Sequence, residues 1–143
     1  MPSTSERQAA NAAIITEFRA NGGQVGGPYA AIPLLLLTNH GARSGQSRTI
    51  PVAYTTDGDR FIIMAANGGR PTDPDWYHNL LAHPTAVVEV GTETFPVNAA
   101  AAVEPERTRL AAQMATAVPL FASLQERITR PIPVIILMRA AAQ

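Results

Sequence analysis

Short apolar runs separated by turn-forming residues follow one another along most of this chain, and their lengths predict strands. The run that begins at Leu34 is continuous, which is typical of a strand buried on both faces. Asp57-Gly58-Asp59 and Gly91-Thr92 each separate two such runs and favour tight hairpin turns. About six strands are predicted in this way: 34–39, 50–56, 60–66, 86–90, 93–101 and 134–138.

Helical spacing appears at the start of the chain and again in its middle. Ala10, Ile14 and Phe18 recur at helical intervals, so a helix is predicted from about Ser5 to Ala20, followed by a Gly-rich linker. Asp73-Pro74 predicts a second helix, with Asp73 as its cap and Pro74 in its first turn. That helix should reach about Ala82 and bury the following residues: Trp76, Tyr77, Leu80 and Leu81.

Two further helical stretches follow the second hairpin. Pro105 predicts a helix start, and Leu110, Ala111, Met114 and Val118 form its apolar face. Pro119 ends or kinks this helix, and a short helical stretch then reaches about Arg127. Antiparallel hairpins without βαβ alternation predict an α+β, mainly β protein: a small closed or half-closed barrel with helices packed outside.

Composition narrows the class of protein but not its activity. The 143 residues are 46% hydrophobic, which suits one domain over 1–143, with the first helix and linker at 1–25. The formal net charge is zero, so neither nucleic acid nor an acidic membrane is an expected partner. Cysteine and lysine are absent, which excludes thiol and lysine Schiff-base chemistry. No apolar run reaches the length of a membrane span and residues 1–20 do not resemble a signal peptide, so a cytoplasmic protein is expected.

No self-sufficient catalytic group stands out in the sequence. His40, His78 and His83 lack metal-ligand spacing, so no metal site is predicted. There is no Gly-x-Ser-x-Gly nucleophile motif either, and we assign no side chain as catalytic. If the protein is an enzyme, a bound cofactor should therefore carry out the chemistry.

The segment from Gly41 to Arg48 is the most informative one for binding. Two glycines and two serines give the backbone freedom to present N–H groups, and Arg43 and Arg48 add fixed positive charge. Such a loop suits phosphate or carboxylate oxygens, although its spacing fits neither a P-loop nor a dinucleotide fingerprint. A plain hairpin connection is the alternative interpretation.

Two later segments have the composition of a ligand-binding wall. Met64–Gly69 places small residues at a strand end, where a flat ring could approach the backbone. Trp76 could line a cleft, and Asn79, one helical turn later, could hydrogen-bond a polar edge. An ordinary strand end and core aromatic residues are the alternative interpretations.

Taken together, these segments resemble the deazaflavin-dependent nitroreductase family, small actinobacterial proteins that use coenzyme F420. The similarity covers about 26–138 and also includes Arg130-x-Ile132-Pro133. The motifs that carry it are, in chain order, Gly-x-Arg-Ser-Gly-Gln-x-Arg, Ala-x-x-Gly-Gly, Pro-x-Trp-Tyr-x-Asn-Leu and His83-Pro84.

The resemblance implies a split β-barrel that binds the reduced deazaflavin F420H2. It implies that the phosphate and oligoglutamate tail of the cofactor bind to Arg43, Ser44, Gly45, Gln46 and Arg48. It also implies that the ring and its side chain lie near Pro51, Val52, Met64, Ala65, Ala66, Asn67, Gly68, Trp76, Tyr77 and Asn79.

The sequence departs from the family pattern in two places. Ala42-Arg43 stands where the best-known relatives have a basic pair, so one anionic contact is missing. Relatives that activate nitroimidazoles carry several tyrosines where this chain has the apolar segment 118–124. We therefore expect an apolar substrate pocket that includes Val118, Phe121 and Leu124.

The resulting hypothesis is an F420H2-dependent reductase. It would transfer a hydride to an electron-poor conjugated acceptor such as an enone, a coumarin-type lactone or a quinone. Three alternatives stay open: a membrane-facing quinone reductase with weak peripheral contact through its first helix, a non-catalytic F420 carrier, and a split-barrel oxidase that binds FMN. The sequence leaves the oligomeric state open.

Overall fold

The fold is seen in a computed structural model that describes residues 4–140; the six terminal residues of the predicted single domain, 1–3 and 141–143, lie outside it. Seven strands form one antiparallel sheet in the order β2-β1-β5-β6-β7-β4-β3. The strands are β1 (Leu34–His40), β2 (Ser47–Ala53), β3 (Thr55–Asp57), β4 (Arg60–Met64), β5 (Thr85–Val90), β6 (Glu93–Ala101) and β7 (Val134–Arg139). The helices are α1 (Thr4–Ala20), α2 (Asp75–Ala82), α3 (Glu106–Ala117) and α4 (Pro119–Arg127).

This architecture confirms the predicted mainly-β fold with helices outside, although there are seven strands rather than six. The predicted strand 50–56 is in fact two strands that pair with different neighbours. Its first part belongs to β2 and pairs with β1, whereas Thr55–Asp57 is β3 and pairs with β4. A continuous β-like sequence cannot reveal this change of partner, because the pairing depends on how the sheet curls.

The sheet curls because its two edge strands are consecutive in the chain. β2 lies at one edge and β3 at the other, and only Tyr54 separates them. The two edges of the sheet therefore meet at Tyr54. The gap between β2 and the end of β4 widens with distance from this residue, and we call this gap the split. Contact between β2 and β4 supports this arrangement.

Period-two alternation sorts the apolar side chains into two main layers. One face of the long strands fills the concave interior, with Leu35, Leu37, Val88, Val97 and Ile135 almost fully buried. The opposite faces of β4 and β7 lie under α3 and α4, where they form the outer layer. The residues of this layer include Ile62, Met64, Leu110, Met114, Val134 and Ile136.

A smaller cluster explains why β1 is apolar on both faces. Phe18 of α1 and Val25 cover the outward-facing Leu36, while the neighbouring leucines face the interior. Arg19 holds α1 to β5 through a bidentate ion pair with Glu89, with N–O distances of 3.0 and 2.8 Å. None of the described helices has both the length and the hydropathy needed to span a membrane.

Two predictions for α2 are wrong. Leu81 is 54% exposed, because Leu80 and not Leu81 points to the interior. Asp73 does not cap the helix, which begins at Asp75. The Asp73 carboxylate instead forms an ion pair with Arg130.

An ion network joins the β3–β4 turn to α3. Asp57 accepts hydrogen bonds from Arg109, at 3.3 and 3.2 Å, and from Arg60, and Glu106 accepts from both arginines. The hydrogen bonds from Arg109 and Arg60 lower the pKa of Asp57 from 3.8 to about 2. Because the pKa is lowered on folding, this stabilisation is complete above about 3.8 and is lost as the pH falls through about 2.

We therefore expect Asp57→Asn to lower the urea midpoint of unfolding at pH 6, and the difference from the wild type to shrink as the pH approaches 2. Asp59→Asn is the matched control, because this exposed carboxylate in the same turn has no ion pair among the described residues. Equal effects of the two substitutions at pH 6 would contradict a specific role for the network.

Candidate functional site

The loop between β1 and β2 is a tight hairpin that its own backbone closes. The N–H of Gly41 donates to Gln46 at 2.9 Å, and the N–H of Gly45 donates to Gly41 at 2.9 Å. Gly45 has φ +70°, a conformation that favours glycine. At Gly41 a Cβ would lie 2.6 Å from the Ser44 hydroxyl oxygen, so a side chain would not fit there unless Ser44 moved.

The two arginines of this hairpin are exposed. No acceptor among the described residues contacts the guanidinium of Arg43 or of Arg48. Seven other arginines do hold such contacts within the protein: Arg19, Arg60, Arg70, Arg107, Arg109, Arg130 and Arg139. The hairpin therefore offers positive charge that the rest of the described chain does not neutralise, a property that guanidinium groups need in order to bind an external anion.

A buried pair of asparagines fixes this hairpin to α2. Asn79 donates to the side-chain oxygen of Asn39 at 2.7 Å and accepts from the backbone N–H of Ala42 at 2.9 Å. Asn39 in turn donates to the carbonyl of Arg48 at 3.3 Å. Both asparagines are at least 92% buried, so the pair is shielded from competing water. Asn79 thus has a structural contact that its predicted role in ligand binding did not include.

The end of β4 lies across the split from β2. Thr55 pairs with Ile62, and β4 runs antiparallel to β3, so the chain after Ile62 returns alongside β2. Ala53 of β2 packs against the same outer layer as Met64 and Ala66. This course directs residues 64–68 back along the strand that carries Pro51 and Val52. Both segments are predicted, from the resemblance, to bind the same ligand.

Arg130 holds the segment after β4 in place. From the sequence, this residue had no predicted role beyond its place in a motif. Its guanidinium donates to the carbonyl oxygens of Ala65 at 3.1 Å, Ala66 at 3.2 Å and Thr72 at 3.1 Å. It also pairs with the Asp73 carboxylate. We call these contacts the Arg130 network. The signal for this residue in the sequence was its place in the last family motif, just before β7. Its role could not be read from that motif, because the residues named above lie more than fifty positions away in the chain.

The same segment presents backbone donors that the protein leaves unused. Asn67 has φ +53°, unusual for a residue other than glycine, and Gly68 has φ +64°. Asn67 is held there by its side chain, which donates to Thr72 and accepts from Arg70. Within the described chain, the backbone N–H groups of Ala66, Asn67 and Gly68 have no acceptor.

The predicted aromatic wall is half-buried. Trp76 and Tyr77 pack against the interior layer that includes Val52 and Ile63. This placement satisfies the core interpretation and still leaves part of each residue accessible.

The predicted substrate residues lie close to the β4 end but are packed into the outer layer. Val118, Phe121 and Leu124 are between 2% and 7% exposed. Leu124 nevertheless reaches the loop, because a Cβ at Gly69 would lie 3.4 Å from its Cδ2. α4 is therefore a neighbour of the split, whereas its buried face acts as core in this structure.

Electrostatics distinguish this surface from the rest of the molecule. The carboxyl groups whose pKa values are lowered by hydrogen bonds, Asp57, Glu104 and Glu106, lie on the β3–β4 turn and at the start of α3. No cluster of metal-binding side chains occurs in 4–140. A groove of about 320 Å³ lies at the other end of the β1–β2 hairpin, but its lining has no charged side chain. Among the described residues, the carboxyl groups with shifted pKa values thus lie away from the hairpin and the split.

Comparison with known proteins relates most of the chain to proteins that depend on F420H2. Residues 12–139 match the model of the F420H2-dependent quinone reductase family. An F420H2-dependent quinone reductase of Mycobacterium tuberculosis strain H37Rv is 37% identical over 126 residues, which cover 85% of each chain.

Solved structures agree with the fold and with the family. The solved structure of an F420H2-dependent reductase superposes with a TM-score of 0.68 at 33% identity, covering 73% of this chain and 93% of that one. The haem storage protein HutZ of Vibrio cholerae has a TM-score of 0.60 at 14% identity over 90% of this chain and 89% of its own, a likeness of fold alone. The predicted relationship to F420-using proteins is confirmed, and the matching family and the mycobacterial relative are F420H2-dependent quinone reductases. The chain belongs to the F420H2-dependent quinone reductase family.

Proposed function

We propose that this protein transfers a hydride from reduced F420 to quinones and related electron-poor conjugated acceptors. The observation that carries the proposal is the family match over 12–139, which includes every segment assigned to the ligand. Coumarin-type lactones and enones belong to the same chemical class, because each presents a polarised double bond to a hydride.

The hairpin suits the anionic tail of F420. Arg43 and Arg48 are exposed and unpaired, and the N–H groups of Arg43 and Ser44 have no acceptor among the described residues. Guanidinium groups bind phosphate and carboxylate oxygens through paired N–H donors. The Asn39–Asn79 pair supports this role by fixing the loop to α2.

The split suits the ring. The N–H groups at 66–68, which have no acceptor in the described chain, suit the carbonyl edge of a deazaflavin, and the half-buried Trp76 offers apolar surface for the ring. Close approach is favoured because Ala65, Ala66 and Gly68 carry little or no side chain.

The cofactor supplies the hydride when it is bound, and the protein orients it. On this proposal the hairpin holds the tail, the 66–68 donors hold the ring, and the apolar walls exclude water. The split has no side chain that we assign as an acid or base, so the proton comes from solvent.

The predicted substrate site beside α4 would be apolar. Leu120, 50% exposed, adds accessible apolar surface on the helix that carries Phe121 and Leu124. This surface favours flat fused-ring acceptors, which gain roughly 25 cal/mol per Å² buried. Contact of Val118, Phe121 and Leu124 with substrate stays a prediction, as does a cytoplasmic location.

Cofactor choice tests the proposal most directly. F420 should bind much more tightly than FMN in a fluorescence titration of the pure protein, because only F420 has a long polyanionic tail for the hairpin. NADPH should not replace F420H2 as the hydride source. Equal affinities for F420 and FMN would instead favour a flavin-binding oxidase.

Arg48→Ala should weaken F420 binding by about 1.5–3 kcal/mol, the cost of losing a charge-assisted hydrogen bond. Turnover at saturating F420H2 should change little, because Arg48 would contact the cofactor away from the reacting ring. Arg19→Ala is the control, since this exposed arginine lies on α1 and pairs with Glu89. An unchanged affinity in Arg48→Ala would leave the hairpin as a simple connection.

Substrate class is tested by following the return of oxidised-cofactor absorbance after mixing protein and F420H2 with acceptors. Quinones and coumarin-type lactones should be reduced readily, and bicyclic nitroimidazoles slowly or not at all, because segment 118–124 carries no tyrosine. Fast nitroimidazole reduction with inert quinones and coumarins would contradict the substrate assignment. Tight F420 binding without turnover of any acceptor would favour a carrier.

A further inference from the structure

Arg130 binds the carbonyl oxygens of two consecutive peptide groups whose N–H groups point elsewhere and are unused. One amino group of the guanidinium, Nη2, donates to Ala65 at 3.1 Å and to Ala66 at 3.2 Å. The carbonyl of Ala65 belongs to the same peptide group as the N–H of Ala66. The carbonyl of Ala66 likewise shares its peptide group with the N–H of Asn67. Neither N–H has an acceptor among the described residues.

A cation that is hydrogen-bonded to a peptide carbonyl changes the donor strength of the N–H in the same peptide group. The charge-assisted bond draws electron density toward the oxygen, and the N–H becomes a stronger donor, as in other chains of hydrogen bonds. The effect is larger at low dielectric, and the Arg130 side chain is only 16% exposed. Two N–H groups of the split are therefore polarised by one guanidinium.

We propose that Arg130 is a positioning residue that orients and strengthens the N–H groups of Ala66 and Asn67 as donors to the ring of the bound cofactor. This inference rests on the proposed function, because it needs a carbonyl-bearing ring in the split. It is separate from the role of the hairpin, since Arg43 and Arg48 face the anionic tail.

The geometry requires an arginine at this position. Nη2 donates to Thr72 as well as to the two alanines, Nη1 pairs with Asp73, and Nε lies 3.4 Å from the carbonyl of Arg70. A planar fork with five N–H donors reaches these acceptors from one place, whereas an ammonium group has three donors around a single point.

The test uses Arg130→Gln, which removes the charge, and Arg130→Lys, which keeps the charge but loses the fork. Arg107→Gln is the matched control. Arg107 is also partly buried and donates to the carbonyl of Ile132 at 3.1 Å, close to the same segment, but contacts neither Ala65 nor Ala66.

Two measurements are made on each folded variant. The first is the amide ¹H and ¹⁵N chemical shifts of Ala66 and Asn67 in cofactor-free protein. The second is the affinity, by fluorescence, for F420 and for the deazaflavin riboside that lacks the phosphate and glutamate tail. The riboside separates contacts to the ring from contacts to the tail.

We expect Arg130→Gln to shift both amide signals upfield and to weaken F420 and the riboside by the same factor, about tenfold. Arg130→Lys should give an intermediate loss, and Arg107→Gln should leave both affinities unchanged. Arg48→Ala should weaken F420 and spare the riboside. If Arg130→Gln does not fold, Arg130→Lys and its amide shifts provide the test.

Three results would overturn the inference: unchanged amide shifts in Arg130→Gln, unchanged riboside affinity in this variant, or an equal loss in Arg107→Gln, which would indicate a general structural effect. Failure of the proposed function is distinct, because the wild-type protein would then bind neither F420 nor the riboside. In that case the two N–H groups have no ring to bind, and the inference fails together with the proposed function. The amide shifts of the variants would then show only whether Arg130 polarises these two N–H groups.

Discussion

The Arg130 network is the constraint on which the arrangement of the site depends. The segment from Ala65 to Asp73 leaves the sheet, changes direction and begins α2, and it has few apolar side chains to hold it. One guanidinium binds several of its carbonyls and its carboxylate at Asp73. Without this network, the glycines that permit close approach of a ligand would also permit many other loop conformations, because glycine restricts the backbone little.

The split itself arises from chain order. Placing β2 and β3 next to each other in the sequence but at opposite edges of the sheet brings the edges together at Tyr54 and leaves them apart elsewhere. The hairpin with Arg43 and Arg48 and the segment after β4 both lie toward the open end. A β-barrel closed along its full length would have no such exposed edge for a ligand to occupy.

On the proposed function, the protein supplies binding and the cofactor supplies the chemistry. The polar contacts of the site are either structural, as in the Asn39–Asn79 pair, or unused, as in the hairpin arginines and the N–H groups after β4. The groups with shifted pKa values instead stabilise the β3–β4 turn, α1 and α3. Such a distribution suits an enzyme that positions a hydride donor and needs no tuned acid or base of its own.

The sequence by itself determined the elements and their approximate bounds, because period-two and helical patterns and turn residues act over a few positions, and its motifs led to the family. The sequence correctly separated the β5–β6 hairpin from the helices that follow. It also marked Arg43 and Arg48, in the β1–β2 hairpin, as candidate binding residues. Only the tertiary structure decided that 50–56 divides between two edges, that Leu81 is exposed, and that Asp73 serves Arg130 rather than the helix. The Asp73–Arg130 contact joins residues 57 positions apart, and the division of 50–56 depends on how the sheet curls, so no local pattern in the sequence encodes these outcomes.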